Sequence, residues 1–209
     1  MSAGSSAGDR AAALRAQAVP RGLKRRLLAA VGMDRKGARL EAEAGRWEAG
    51  LVGERRTAVL LAPLAAEGWY GLYDRRIPGL DRANADHVLI APSGRAFMPD
   101  SKMWHARNRA RVRLVRGRLV HGDADKDRQV DGVLTEARLV GQALETAVTP
   151  IIAVHNAPVE GGGFIVRGVP VVPADRLVEL LRRNAGRPDP ARARALAERA
   201  RAVLPRYVE

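Results

Sequence analysis

The chain has 209 residues, a formal charge of +13 at neutral pH and an isoelectric point near 11.3. That length fits one domain with a proper core plus extensions, and the charge favours a polyanionic partner, nucleic acid or an anionic membrane surface. No cysteine is present, which excludes disulfides and thiolate metal sites. No apolar run approaches the ~18 residues of a membrane span and no secretory signal is visible, so a soluble cytoplasmic protein is the default expectation.

Residues 1–38 are small, polar and basic, with Arg10, Arg15, Arg21, Lys24, Arg25 and Arg26 among them. They read as a flexible arm with a short amphipathic piece around Leu23 to Val31. The domain proper is expected over 39–184. Its first helix is predicted from about Glu41 to Ala66, with Trp47, Leu51, Ala58 and Leu61 spaced along one face. Glu54 falls on that stripe, and an acid on a buried face needs a partner or a task.

Strands are predicted over Trp69 to Arg76, Asp86 to Ala91 and Arg95 to Ser101, then as a pair, Arg111 to Arg116 and Arg118 to His121, hinged at Gly117. Pro92-Ser93-Gly94 reads as a tight turn that makes the second and third strands antiparallel neighbours. A helix follows over Lys126 to Thr146, with Val130, Val133, Leu134, Ala137, Val140 and Leu144 on one face. Pro150 to His155 reads as a buried strand, Gly161 to Gly163 as a turn, Phe164 to Val172 as one or two short strands and Ala174 to Asn184 as a helix. Residues 185–209 open with a Gly-Arg-Pro-Asp-Pro break and are expected to finish as a basic C-terminal helix. The order defines an α/β fold with a central mixed sheet flanked by helices.

Asp86 opens one predicted strand and Asp100 closes the next, so the short turn brings both to one end of the hairpin. Along a strand side chains alternate, so Asp100 and Lys102 share a face while Ser101 points away. Lys102 is one of only four lysines among 36 basic residues. Unlike arginine, lysine carries a compact charge whose pKa responds to its surroundings. Two carboxylates and the backbone carbonyl of Ser101 make a hard-oxygen set suited to Mg²⁺ or Mn²⁺, to which Glu54 adds a further carboxylate, for the metal or its outer waters, if its helix packs against this end of the sheet. With Lys102 beside them the chemistry is metal-assisted phosphodiester hydrolysis. The plain alternative is a strand cap at Asp86, a surface ion pair between Asp100 and Lys102, and a solvated Glu54.

Arg107, Arg109, Arg111 and Arg113 recur at every second position. In an extended strand they present four guanidiniums on one face, suited to phosphate contacts, or else an edge strand protected by charge. His87 is expected on the face opposite Asp86 in a structural role. His105, His121 and His155 show no ligand spacing, and Trp104 is read as a packing residue.

In order, Gly53-Glu54, Asp86-His87-Val88-Leu89-Ile90, Asp100-Ser101-Lys102 with Trp104, Gly117-Arg118-Leu119, Glu136-Ala137, Ile152-Ala153-Val154-His155 and Gly168 to Pro173 resemble the nuclease-related domain family. That family is a branch of the restriction-endonuclease-like PD-(D/E)xK superfamily, and the resemblance covers roughly residues 45–182. It implies a restriction-endonuclease-like core and places Glu54, Asp86, Asp100 and Lys102 at presumed active-site positions. Asp100 stands where Glu is frequent, and Asn84-Ala85 precede Asp86 where Gln is often seen. The expectation is a metal-dependent nuclease acting on DNA more than RNA. The competing expectations are an inactive nucleic-acid-binding module of the same fold and a scaffold docking to acidic partners.

Overall fold

The computed structural model describes residues 5–19, 35–80, 83–106 and 109–207. Among the described residues two helices come first, α1 (Ser5–Ala18) and α2 (Arg35–Leu61), and α2 runs on into a 3-10 segment, Ala62–Glu67. Next come β1 (Tyr70–Arg76), β2 (Asn84–Ile90), β3 (Ala96–Met103), β4 (Val112–Val115), β5 (Arg118–His121) and β6 (Ala124–Asp125). The chain then forms α3 (Asp127–Leu144), β7 (Val148–His155), β8 (Phe164–Val166), β9 (Val169–Pro173), α4 (Leu177–Asn184) and α5 (Pro190–Val203).

Six strands make one mixed sheet in the order β1-β2-β3-β7-β9-β8, and β4-β5-β6 make a small second sheet. The turn after β2 is as predicted: Gly94 takes φ 79° and its N–H donates to the carbonyl of Ala91 at 2.8 Å. β2 and β3 are therefore antiparallel, while β3 and β7 are parallel and joined by the long crossover through the small sheet and α3.

Alternation along the strands divides the core. Val88, Ile90, Ala96 and Met98 face Ala137, Val140 and Leu144 of α3 and Ala193, Leu196, Ala197 and Ala200 of α5. Leu89, Phe97, Ile151 and Ala153 face Leu61, Leu64, Leu177 and Leu181 on the other side. A central mixed sheet flanked by helices is the architecture expected, and it is consistent with a restriction-endonuclease-like fold.

The two ends depart from expectation. Residues 5–18 are a helix rather than part of a flexible arm: Ala11 and Ala18 are buried, α1 packs on α2, and Arg15 donates to Glu48 at 2.7 Å. The amphipathic piece expected over Leu23 to Val31 lies outside the described residues. At the other end, α5 is no extension. Asp189 caps it by accepting from the N–H of Arg192, Pro190 occupies its first turn, and its alanine stripe is part of the main core. The chain then runs along the open edge of β1, where Arg76 N–H donates to Pro205 and Tyr207 N–H donates to Asp74 at 3.0 Å.

Candidate active site

Three aspartates stand in a row across β1, β2 and β3. The β1–β2 register pairs Tyr73 with His87 and Arg75 with Ala85, which sets Asp74 opposite Asp86. The β2–β3 register pairs Leu89 with Phe97; its ladder stops there, and continued in step it sets Asp86 opposite Asp100. Pro99 has no N–H to extend the ladder, so the strands are released just where the two carboxylates face each other. Asp74 adopts φ 51°, a left-handed conformation rare for a non-glycine residue and common where backbone strain serves a site.

Lys102 sits beside Asp100 as alternation predicts. Its ammonium donates to Asp100 Oδ1 at 2.9 Å and lies 2.7 Å from Oδ2. Ser101 points to the opposite face, where its hydroxyl donates to Thr57 Oγ1 of α2 at 2.8 Å. Thr57 Oγ1 is in turn in hydrogen-bond contact with His155 Nε2 at 2.8 Å. The three side chains are buried, so each needs its partner.

This chain of hydrogen bonds fixes α2 against β3 and thereby places Glu54. One residue earlier, Gly53 meets β3 so closely that an added Cβ would lie 2.7 Å from Met103 Cγ. One residue beyond Asp86, buried His87 donates from Nε2 to the Glu54 carbonyl at 3.2 Å. Burial pushes the His87 imidazole down to about 4, so it stays neutral in this structural role. The predicted stripe shifts slightly: Gly53, Thr57 and Leu61 are buried, while Glu54 is half-buried at their flank.

The acids repel one another. Desolvation, then Asp74 and Asp100, raises the Glu54 carboxyl to about 7. Burial, followed by Glu54 and Asp100, holds Asp86 well above the usual aspartate range. Burial pulls the Lys102 ammonium down, but Asp100, Asp86 and Glu136 outweigh it and leave the group above its ordinary value.

Glu136, named in the sequence only among the residues that carry the resemblance and given no site role there, joins this group. It projects from α3, and desolvation followed by Asp100 raises its carboxyl to about 7. A signal was present: Glu136 lies three residues after Val133 and four before Val140, on the apolar stripe, as Glu54 lies at the flank of that of α2. Asn84 is a second such member. Its amide donates to Asp74 Oδ1 at 2.8 Å and to Asp86 Oδ1 at 3.2 Å, bridging two of the acids.

Among the described residues no three His, Asp or Glu side chains form a group that could hold a metal ion by themselves. The donor chemistry nonetheless fits a divalent cation. Carboxyls raised by burial and then by one another, with Lys102 among them, are relieved by added positive charge, and their candidate donor atoms are all hard oxygens.

The arginine run is only partly a strand. Arg111 and Arg113 flank buried Val112 and share the outer face, whereas Arg109 precedes β4 with φ 59°. Arg107 lies outside the described residues. Trp104 stacks on His121 with centroids 5.4 Å apart and packs against the small-sheet core, the packing role expected of it.

The mixed sheet thus gathers Asp86, Asp100 and Lys102 at one end, between flanking helices. The family model of the nuclease-related domain matches residues 49–155, just over half of the chain, and the chain belongs to that family. The match spans Glu54, Asp86, Asp100, Lys102 and Glu136. No curated protein and no solved structure matches the chain. No helix among the described residues is long and apolar enough to cross a membrane.

Proposed function

We propose that the protein is a metal-dependent nuclease that hydrolyses phosphodiester bonds, with DNA the substrate and the cytoplasm, where Mg²⁺ and nucleic acid meet, the place of action. The observation that carries this reading is the meeting of Asp86, Asp100, Glu54 and Lys102 at one end of the sheet, in a chain of charge +13. Asp86, Asp100, the Ser101 carbonyl and Glu54 are the groups that would hold Mg²⁺ or Mn²⁺. When bound, the ion supplies Lewis-acid polarisation of the phosphoryl group and lowers the pKa of water.

The chain's own residues supply the remainder. Lys102 steadies negative charge as it develops on the phosphate oxygens. Glu54, raised to about 7 by desolvation and by Asp74 and Asp100, would give up its proton to the solvent as positive charge enters the site and serve as a carboxylate donor. Asn84 orients Asp86, and Thr57 with Ser101 holds β3 in place. Arg109, Arg111 and Arg113 contact the backbone of the bound strand.

A second reading, an inactive nucleic-acid-binding module, is favoured by the Lys102 ammonium lying against both oxygens of Asp100, the carboxylate needed as a ligand. Purified protein incubated with supercoiled plasmid and Mg²⁺ or Mn²⁺ separates the two. Cleavage by the wild type and a loss of about 100-fold or more in Asp100→Ala and Lys102→Ala is expected for the nuclease. Equal cleavage by all three overturns the assignment, and salt-sensitive binding without any cleavage supports the second reading.

A further inference from the structure

The segment after β3 curls instead of presenting an even stripe of arginines. Arg109 turns through a left-handed conformation and β4 begins only at Val112. The curl brings Arg109, Arg111 and Arg113 round one hollow of about 450 Å³, walled on the other side by His121, Gly122 and Asp123. Its two walls are fastened together: Gly122 N–H donates to the Arg111 carbonyl at 3.0 Å, and the Arg113 guanidinium donates to the Gly122 carbonyl at 3.0 Å.

Three guanidiniums against the single carboxylate of Asp123 leave the hollow positive. Among the described residues neither Arg109 nor Arg111 forms an ion pair, so both forks are available to a ligand. His121 stands in the same wall with its plane fixed by the stack on Trp104, and its Nε2 has no hydrogen-bond partner. A phosphate matches this lining, since guanidinium forks bind its oxygens in pairs and the N–H of a His121 imidazole kept neutral by burial adds one more donor.

We propose that this hollow is a discrete phosphate subsite, which seats one phosphate of a nucleic-acid strand whose continuation passes the end of β3. Trp104 lies two residues beyond Lys102 and stacks on the subsite's own histidine, so the hollow and the carboxylate cluster share a rigid connection. The substrate strand rests on the nuclease reading; the phosphate chemistry of the hollow does not. The seated group is either a terminal phosphate monoester or an internal diester, and the two are distinguished by the ends of the strand.

The test is made on the full chain in EDTA, where binding is read without cleavage. Inorganic phosphate is titrated while the His121 ring resonances are followed by NMR. The affinities of 12-nucleotide single strands carrying a 5′-phosphate, a 3′-phosphate or hydroxyl ends are measured by fluorescence anisotropy. Arg109→Ala/Arg111→Ala is compared with Arg187→Ala/Arg194→Ala, which removes the same charge from exposed positions elsewhere.

The expected result is a saturable shift of His121 that is lost in the first variant only. Strand affinity should fall about tenfold or more in that variant, with the salt slope reduced by about 0.7 for one phosphate contact. A preference for one phosphorylated end assigns a terminal monoester, and equal affinity for all three strands assigns an internal diester. His121 resonances unmoved by phosphate, or equal loss in the two variants, overturn the proposal. Retained phosphate binding in a protein that cleaves nothing would count against the nuclease reading alone.

Discussion

Replacing Glu54 with glutamine should make the protein more stable at alkaline pH while abolishing its activity. The carboxyl is raised from 4.5 to about 7 in the folded state, first by desolvation and then by Asp74 and Asp100. Between those two values the folded chain binds a proton that the unfolded chain has released, so stability falls as pH rises from about 4.5 through about 7. At about 1.36 kcal/mol for each tenfold in proton affinity, the charged Glu54 costs the fold about 3 kcal/mol above that range. Glu54→Gln keeps the shape and removes the charge. Its gain should be under about 1 kcal/mol at about pH 5 and reach about 3 kcal/mol at about pH 8.5, less whatever Asp86 gives back as its own repulsion is relieved. For a chain of this size that is a rise in Tm of roughly 6 to 12 °C. Urea unfolding of both proteins at the two pH values in EDTA provides the measurement, and saturating Mn²⁺ should narrow the difference by stabilising the wild type. A gain of equal size at both pH values, or a loss at about pH 8.5, would refute the electrostatic argument.

Glu136→Gln should follow the same pattern, stabilising the fold only as pH rises through about 7, because its carboxyl is raised by burial and Asp100 in the same way; the same urea series checks it. Lys102→Met should cost about 3 kcal/mol at neutral pH, since it leaves Asp100 without the ammonium that lies against both its oxygens; chemical denaturation reads the loss, and an unchanged midpoint would place the pair in effective solvent. Thr57→Val, nearly isosteric, should cost about 1 to 3 kcal/mol by stranding the buried Ser101 hydroxyl and His155 Nε2, and should lower plasmid cleavage without changing salt-dependent DNA affinity. Leu204→Ala should cost about 2 to 5 kcal/mol in thermal unfolding, a result foreign to a loose C-terminal extension.

The hairpin was legible because its determinants are local. Pro92-Ser93-Gly94 dictates the turn, period-two alternation dictates the faces, and together they put Asp86, Asp100 and Lys102 on one side and Ser101 and His87 on the other. Residues with nonlocal causes were not legible. Asp74 enters the row through its cross-strand position and a left-handed φ that no short motif announces. The arginine run promised a strand because alternate residues suggest one, yet the backbone turns at Arg109 before pairing begins at Val112. The basic helix expected at the C-terminal end is found as α5, and its Ala193, Ala197 and Ala200 form a narrow stripe whose small side chains let it sit tightly on the sheet. Small apolar residues carry a weak periodic signal and still bury completely, so a basic helix can be an integral wall of the core.

Glu54 and Glu136 show how the same pattern can be found deliberately. Glu136 lies on the apolar stripe of α3 and Glu54 at the flank of that of α2, on helices that cover opposite faces of the sheet. Such an acid survives only if its surroundings justify the desolvation, and here they do so from two sides. Gly53, Thr57 and the His87 bond to the Glu54 carbonyl press α2 onto one face, while Val133, Ala137 and Val140 press α3 onto the other. The two helices thus bring like charges to one end of the sheet against their repulsion, and core packing balances that cost. A site so arranged is under electrostatic tension that bound positive charge relieves, which ties its affinity for a cation to the integrity of two helix–sheet contacts lying beside the carboxylates.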